Sequence, residues 1–233
     1  MFWNNRYLKK IFVLVVVVVM TLSFFGSEDV LAQNEDDSKK STIHIKAEEL
    51  KNEDGLIYLS GGLTIKQDDI TLKSPEGEFD DEENKIVLNN GVDMDYTDAK
   101  ISAQEMTGYF DNDDFVFENN VKMNYNSGEE NEEGKNKKFI LESSYLKINS
   151  ESKSFIAENN IIIDYDNKII KGNKAEYNDE KELLIITENV FIREENGDWI
   201  KSDKAEFDLS TGEETFTAVG NVEIEISLED KDD

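Results

Sequence analysis

Six short segments of this chain follow one pattern, and that pattern leaves few folds open. Gly62, Gly91, Asn120, Asn160, Asn189 and Asn221 recur at intervals of 29, 29, 40, 29 and 32 residues. With each taken as position zero, position −5 is Ile57, Ile86, Phe115, Phe155, Leu184 and Phe216. Position −3 is Leu59, Leu88, Phe117, Ala157, Ile186 and Ala218. Position +1 is Leu63, Val92, Val121, Ile161, Val190 and Val222, and position +3 is Ile65, Met94, Met123, Ile163, Ile192 and Ile224. All 24 are apolar in a chain that is 38% hydrophobic, so composition alone does not produce the register. A fixed period of this length marks a repeat architecture. A unit that buries one face cannot stand alone, so the six must stack or pair into one core.

The spacing within a unit is that of β-structure. Positions −5 and −3 alternate with other residues, as do +1 and +3, so each pair faces one side of a sheet. Between them lie Gly61-Gly62, Asn90-Gly91, Asn119-Asn120, Asn159-Asn160, Glu188-Asn189 and Gly220-Asn221. Gly and Asn tolerate positive φ, so each dipeptide is a bend, a bulge or a reversal. The step from −3 to +1 is even and favours a bent strand over a tight hairpin. Four units also open on an aromatic, Phe79, Phe110, Tyr177 or Phe207, two residues after Gly77, Gly108, Ala175 or Ala205. Leu50 and Ile148 take that slot in the other two units. A small residue beside a large one suits an interdigitated sheet interior. The long third interval coincides with the polar run 126–138, expected as an exposed loop within one continuous domain. A propeller blade needs a longer unit; an elongated antiparallel β-jellyroll and a parallel β-helix both remain open.

The N-terminus belongs to export rather than to the fold. Arg6, Lys9 and Lys10 precede an apolar stretch from Ile11 to Phe25, and Val30 and Ala32 offer small residues at a cleavage site. Residues 1–32 therefore read as a signal peptide, with an uncleaved anchor as the alternative. Residues 33–41 read as a linker, 42–228 as the repeat domain and 229–233 as an acidic tail. There is no cysteine, so an exported chain must hold itself together by core burial. A net charge of −28 repels a phosphate backbone and excludes nucleic acid as a partner. It also disfavours docking on an anionic membrane surface. The acids occur in nearly every turn, which fits adaptation to high salt better than one acidic face for a basic partner.

At the C-terminal end, Ser202-Asp203-Lys204-Ala205-Glu206-Phe207-Asp208 and Ala218-Val219-Gly220-Asn221-Val222-Glu223-Ile224 resemble the repeat unit of the LptA/OstA family. Asn173-Lys174-Ala175-Glu176-Tyr177-Asn178, with Thr187-Glu188-Asn189-Val190-Phe191-Ile192, is similar. The resemblance covers roughly residues 42 to 227. It implies an all-β, elongated antiparallel β-jellyroll (a β-taco) of about six units. It implies a periplasmic protein that carries lipopolysaccharide from inner to outer membrane in an apolar trough, between an LptC-type partner and an LptD-type acceptor. A membrane-anchored LptC-type subunit is the family's other role for such a chain. Carried onto this sequence, the trough would be lined by Ile86, Leu88, Val92, Met94, Phe115, Phe117, Val121, Met123, Leu184, Ile186, Val190 and Ile192. The chain departs from the family in Asn119-Asn120, in the 126–138 run and in its acidity.

Both chain ends read as alternating strands that leave a sheet edge free. Ile43 and Ile45 mark the first; Val222, Ile224 and Ile226 mark the last, read as running to Leu228. Such edges invite a head-to-tail homo-oligomer. Catalysis finds little support. Ser150-Glu151-Ser152-Lys153 matches S-x-x-K but lacks the companion motifs of that chemistry and sits where a turn belongs. His44 is the only histidine, which removes histidine triads and multi-histidine zinc sites. Asp80 to Glu83 and Asp111 to Asp114 lack EF-hand spacing and read as solvated hairpin tips. Trp199 reads as core or rim packing. The expectation is a binding protein without catalysis or cofactor. Its rival is a purely structural β-solenoid whose interior is a packed core.

Overall fold

A computed structural model describes residues 42–130, 136–210 and 215–227. The expected signal peptide, linker and acidic tail lie outside the described residues. The rest is one antiparallel sheet of 16 strands, with no helix among the described residues. In chain order the strands are β1 (His44–Lys46), β2 (Glu49–Glu53), β3 (Leu56–Gln67), β4 (Ile70–Asp80), β5 (Lys85–Asn89) and β6 (Val92–Tyr96). They continue as β7 (Ala99–Ala103), β8 (Glu105–Tyr109), β9 (Asp114–Glu130), β10 (Asn136–Asn149) and β11 (Ser154–Tyr165). The last are β12 (Lys168–Asn178), β13 (Leu183–Glu194), β14 (Trp199–Asp208), β15 (Thr215–Val219) and β16 (Glu223–Glu225). The antiparallel ladder is that of the elongated jellyroll and leaves no place for a parallel β-helix.

The zero-position dipeptides bend strands rather than reverse them. β3, β9, β11 and β13 run straight through their dipeptides, and both residues of every pair have positive φ, from 43° at Asn221 to 106° at Gly91. The ladder slips at each, as between Glu158 and Ile161 or Thr187 and Val190. Two left-handed residues in succession make a bulge sharp enough to fold a strand. Asn accepts that region because its short polar side chain pairs locally. Asn221 Nδ2 donates to Asp203 on β14 at 2.9 Å, and Asn119 Nδ2 to Glu105 on β8 at 3.4 Å.

The bends divide the sheet into two halves. Half-sheet I holds the −5 and −3 positions and half-sheet II the +1 and +3 positions. Phe139 on β10 pairs with Tyr165 on β11, and Phe155 lies ten residues back along β11. In a flat sheet that separation is roughly 30 Å. The two rings are 6.3 Å apart, so the halves are folded face to face. The bends form a spine on one side, and the two rows of hairpin tips meet at a mouth on the other.

Four sequence expectations need correction. The 126–138 run is not wholly loop: β9 extends to Glu130 and β10 begins at Asn136, with Lys138 opposite Asn126. Residues 131–135 lie outside the described residues. The terminal strands are shorter than their alternation suggests, His44–Lys46 and Glu223–Glu225, and Leu228 is not among the described residues. Leu50 does not sit in the aromatic slot; it pairs with Leu59 in the −3 row and is 67% exposed. The Gly108–Phe110 pair is offset by two residues: Gly108 occupies the aromatic row opposite Ile86 and Phe115. Phe110 lies past the end of β8 with its edge toward the Phe115 ring. The S-x-x-K residues form a turn, as expected.

Candidate functional site

The site follows from what folding a two-faced sheet does to its inner columns. Strand alternation aims positions −5, −3, +1 and +3 into the space between the halves. The twelve residues read as trough lining are brought together there. Ile86, Leu88, Phe115, Phe117 and Ile186 are 0% exposed, and the most open, Leu184, reaches 8%. Their side chains fill the interior rather than lining an open groove. The largest fully buried side chains include Phe115, Phe117, Leu72 and Met106.

The +3 position generates an apolar row that crosses the whole described sheet. Register pairs connect Ile45, Ile65, Leu72, Met94, Ile101 and Met123 across half-sheet II. The row continues through Leu141, Ile163, Ile170, Ile192, Ile200 and Ile224. No polar residue interrupts it from the first strand to the last. It is buried in the middle and surfaces at both ends, where Ile45 is 37% and Ile224 57% exposed. Of the residues read as assembly edges, Ile45, Val222, Ile224 and Ile226 are exposed and Ile43 is half-buried against the core.

A second repeated column escaped the sequence reading. On the alternate strands, Ser74, Ala103, Ser143, Gly172 and Ser202 stand opposite Leu63, Val92, Val121, Ile161 and Val190. Each is buried, and each is small because the spine leaves no room there: a Cβ on Gly172 would meet the Ile186 Cγ2 at 2.5 Å. The three serines donate their hydroxyls to the carbonyl two residues on, Glu76, Tyr145 and Lys204, at 2.9–3.0 Å. A buried hydroxyl needs such a partner. The signal was present in the sequence, since four of the five lie 12 or 13 residues after a zero position.

The mouth is aromatic. Position +5 supplies Tyr96, Tyr125 and Tyr165, another recurrence present in the sequence and not read there, and Phe139 joins the same row. Phe155 and Tyr177 face them from half-sheet I. The Tyr125 and Phe139 rings stack at 4.9 Å, and those of Phe155 and Tyr177 at 5.4 Å. Tyr96 donates its hydroxyl to the Ser150 carbonyl across the mouth at 2.8 Å. Burial, then nearby Asp69, raises the Tyr96 phenol above its ordinary value. Burial, then the hydrogen bond to Asp179, raises that of Tyr177. Both hydroxyls therefore stay protonated as donors through neutral pH.

Among the described residues charge is confined to the outside and the turns, where the ion pairs are largely exposed, as at Lys51–Glu53 and Lys122–Glu142. Asp114 is a partial exception. Burial raises its carboxyl, but hydrogen bonds from Lys147 and Asn149 outweigh that and hold it below the usual range. Asp80 caps its own turn by accepting from the backbone N–H of Glu82 and Glu83. Among the described residues no three metal-ligating side chains gather to hold an ion. Trp199 lies half-buried on the outer face beside Phe191, with the Lys201 Nζ 4.6 Å from its ring centroid. Comparison with family models and with curated proteins gave no match. The interior is apolar and filled by the protein's own side chains.

Proposed function

We propose that this protein binds lipid acyl chains between its two half-sheets and passes them along the +3 row, as a periplasmic bridge that carries lipopolysaccharide from inner to outer membrane. The observation that carries the reading is the unbroken apolar row that runs the length of the sheet and emerges at both ends. An ordinary closed core would bury its terminal residues; this one offers Ile45 at one end and Ile224 at the other. Each methylene moved from water into such an interior gains about 0.8 kcal/mol, so several acyl chains bind tightly without any catalytic group. Ends that expose both apolar residues and unpaired strand edges suit head-to-tail stacking, or docking to LptC-type and LptD-type proteins, with the apolar row continuing from one protein to the next.

A photo-activatable residue at Met94 or Ile163 should cross-link to lipid when the protein is isolated from its native membranes. Cross-links to the protein's own chain alone would overturn the reading. A packed structural solenoid is the second reading, favoured by the complete burial of Phe115 and Phe117. It expects that second outcome, together with protein free of co-purifying lipid.

A further inference from the structure

The interior that would hold acyl chains is full, and the mouth that would admit them is bridged. In the middle of the molecule four rings form a continuous chain across the mouth. Tyr125 stacks on Phe139 in half-sheet II, Phe139 meets Phe155 across the gap, and Phe155 stacks on Tyr177 in half-sheet I. Beside them Tyr96 of half-sheet II donates to the Ser150 carbonyl at the opposite row of tips. The spine opposite has the properties of a hinge. Paired left-handed residues interrupt the regular ladder at each bend, and each strand changes direction there.

We propose that the Tyr125–Phe139–Phe155–Tyr177 stack and the Tyr96–Ser150 hydrogen bond form a latch that holds the half-sheets shut and must open before the interior takes an occupant. This rests on the lipid-binding reading for its occupant, but the latch itself does not. Side chains at 0% exposure leave no space for a methylene chain, so occupancy requires the halves to part. Parting about the spine moves the mouth farthest, and there the aromatic chain is what joins the two sides. Aromatic contacts suit this role because a stack can slide and reform, and an acyl chain can replace each ring face it uncovers. The latch would keep the empty protein closed, sparing its apolar rows from water.

The chain has no cysteine, so introduced pairs label cleanly. Spin labels at Asn124→Cys and Glu151→Cys, both exposed and on opposite halves, report the opening without any lipid. The full chain should give one narrow distance distribution. Phe139→Ala with Phe155→Ala should shift it longer and broaden it, and Tyr96→Phe should do so to a smaller extent while keeping the ring. An unchanged distribution in a double variant that retains its β-sheet circular dichroism would overturn the latch. In a second arm, Phe139→Cys and Phe155→Cys are joined by a short bis-maleimide, and uptake of a fluorescent acyl chain from phosphatidylethanolamine vesicles is followed. Joining should slow uptake at least tenfold relative to the same variant capped with a monofunctional maleimide. Measurable uptake at equal rates in the joined and capped protein would overturn the latch and indicate loading from the ends. If the distances respond but no variant takes up lipid, the latch stands and the lipid-binding reading fails.

Discussion

The middle of the sheet and its two ends are built from the same repeat and behave as different materials. In the units around Asn120 and Asn160 every column position is buried, from Phe115 and Phe117 at 0% to Phe155 at 7%. In the last unit the same columns give Phe216 and Ala218, half-covered, and Val222 and Ile224, 45% and 57% exposed. Leu50 at the other end is 67% exposed. Local sequence cannot account for this, because Ile224 and Met94 occupy the same position, each between two acidic residues, and Met94 is 1% exposed. A repeat residue is covered by the strands on either side of it, and the terminal strands have a neighbour on one side only. The contrast teaches that the pattern specifies direction, whereas burial is conferred by stacking.

The sharpest way to break the comparison is to delete side chains in both regions. Phe117→Ala should cost about 3–5 kcal/mol, because it removes a fully buried ring and leaves a cavity. Ile224→Ala should change stability by no more than about 0.5 kcal/mol in the isolated chain. Urea unfolding measures both. A cost above 2 kcal/mol at Ile224 in dilute protein would mean that something already covers the C-terminal end.

Glycine substitutions sharpen it further, because they separate crowding from backbone strain. Gly77→Ala would place a Cβ 2.5 Å from the Leu88 Cδ2 and 2.8 Å from the Val87 carbonyl oxygen, and backbone cannot yield cheaply. A loss of about 1–3 kcal/mol should follow, as for overpacking elsewhere. At the spine, Gly62→Ala meets no atom within 4 Å but must hold φ near +89°. Its cost should be about 1 kcal/mol, from left-handed strain alone. Equal losses at the two sites would show that the bend is as tightly packed as the interior.

Assembly should erase the difference between middle and ends. Light scattering at rising protein concentration is expected to show oligomers that vanish when residues 222–233 are deleted. Protein that remains monomeric in both low and high salt would leave the exposed isoleucines unexplained by stacking. Sodium chloride should raise the melting temperature of the single chain, since screening relieves the repulsion of a −28 charge. A flat or falling salt response would remove the high-salt explanation of its acidity.

The smallest effect concerns the mouth at high pH. The folded-state values of Tyr96 and Tyr177 are raised above the unfolded value near 10. Their contribution is therefore fully present below about pH 10 and is lost as pH rises through the folded values. Tyrosinate absorbance should show these two phenols titrating above the unfolded value near 10, and Tyr96→Phe should remove one late-titrating group. Ionisation of Tyr96 and Tyr177 at the unfolded value in folded protein would mean that the mouth stands open.

The sequence by itself determined the strand class, the inward columns and the place of each bend. These are local consequences of two-residue alternation and of the tolerance of Gly and Asn for positive φ. It also held two signals that were harder to read. The small residues from Ser74 to Ser202 show their purpose only beside Leu63 or Val190 on the next strand. The +5 tyrosines announce a mouth only once the sheet is folded. Where reading from one strand went astray, the cause was register: Gly108 looks like Gly77 because an aromatic follows two residues on, yet it lies in the next row, opposite Ile86 and Phe115. Pairing between strands, the fold of the sheet upon itself, the fullness of the interior and the bareness of its ends were decided by the tertiary structure. The physical reason is that alternation fixes which way a side chain points, while cross-strand register and the presence of a further strand fix what it meets.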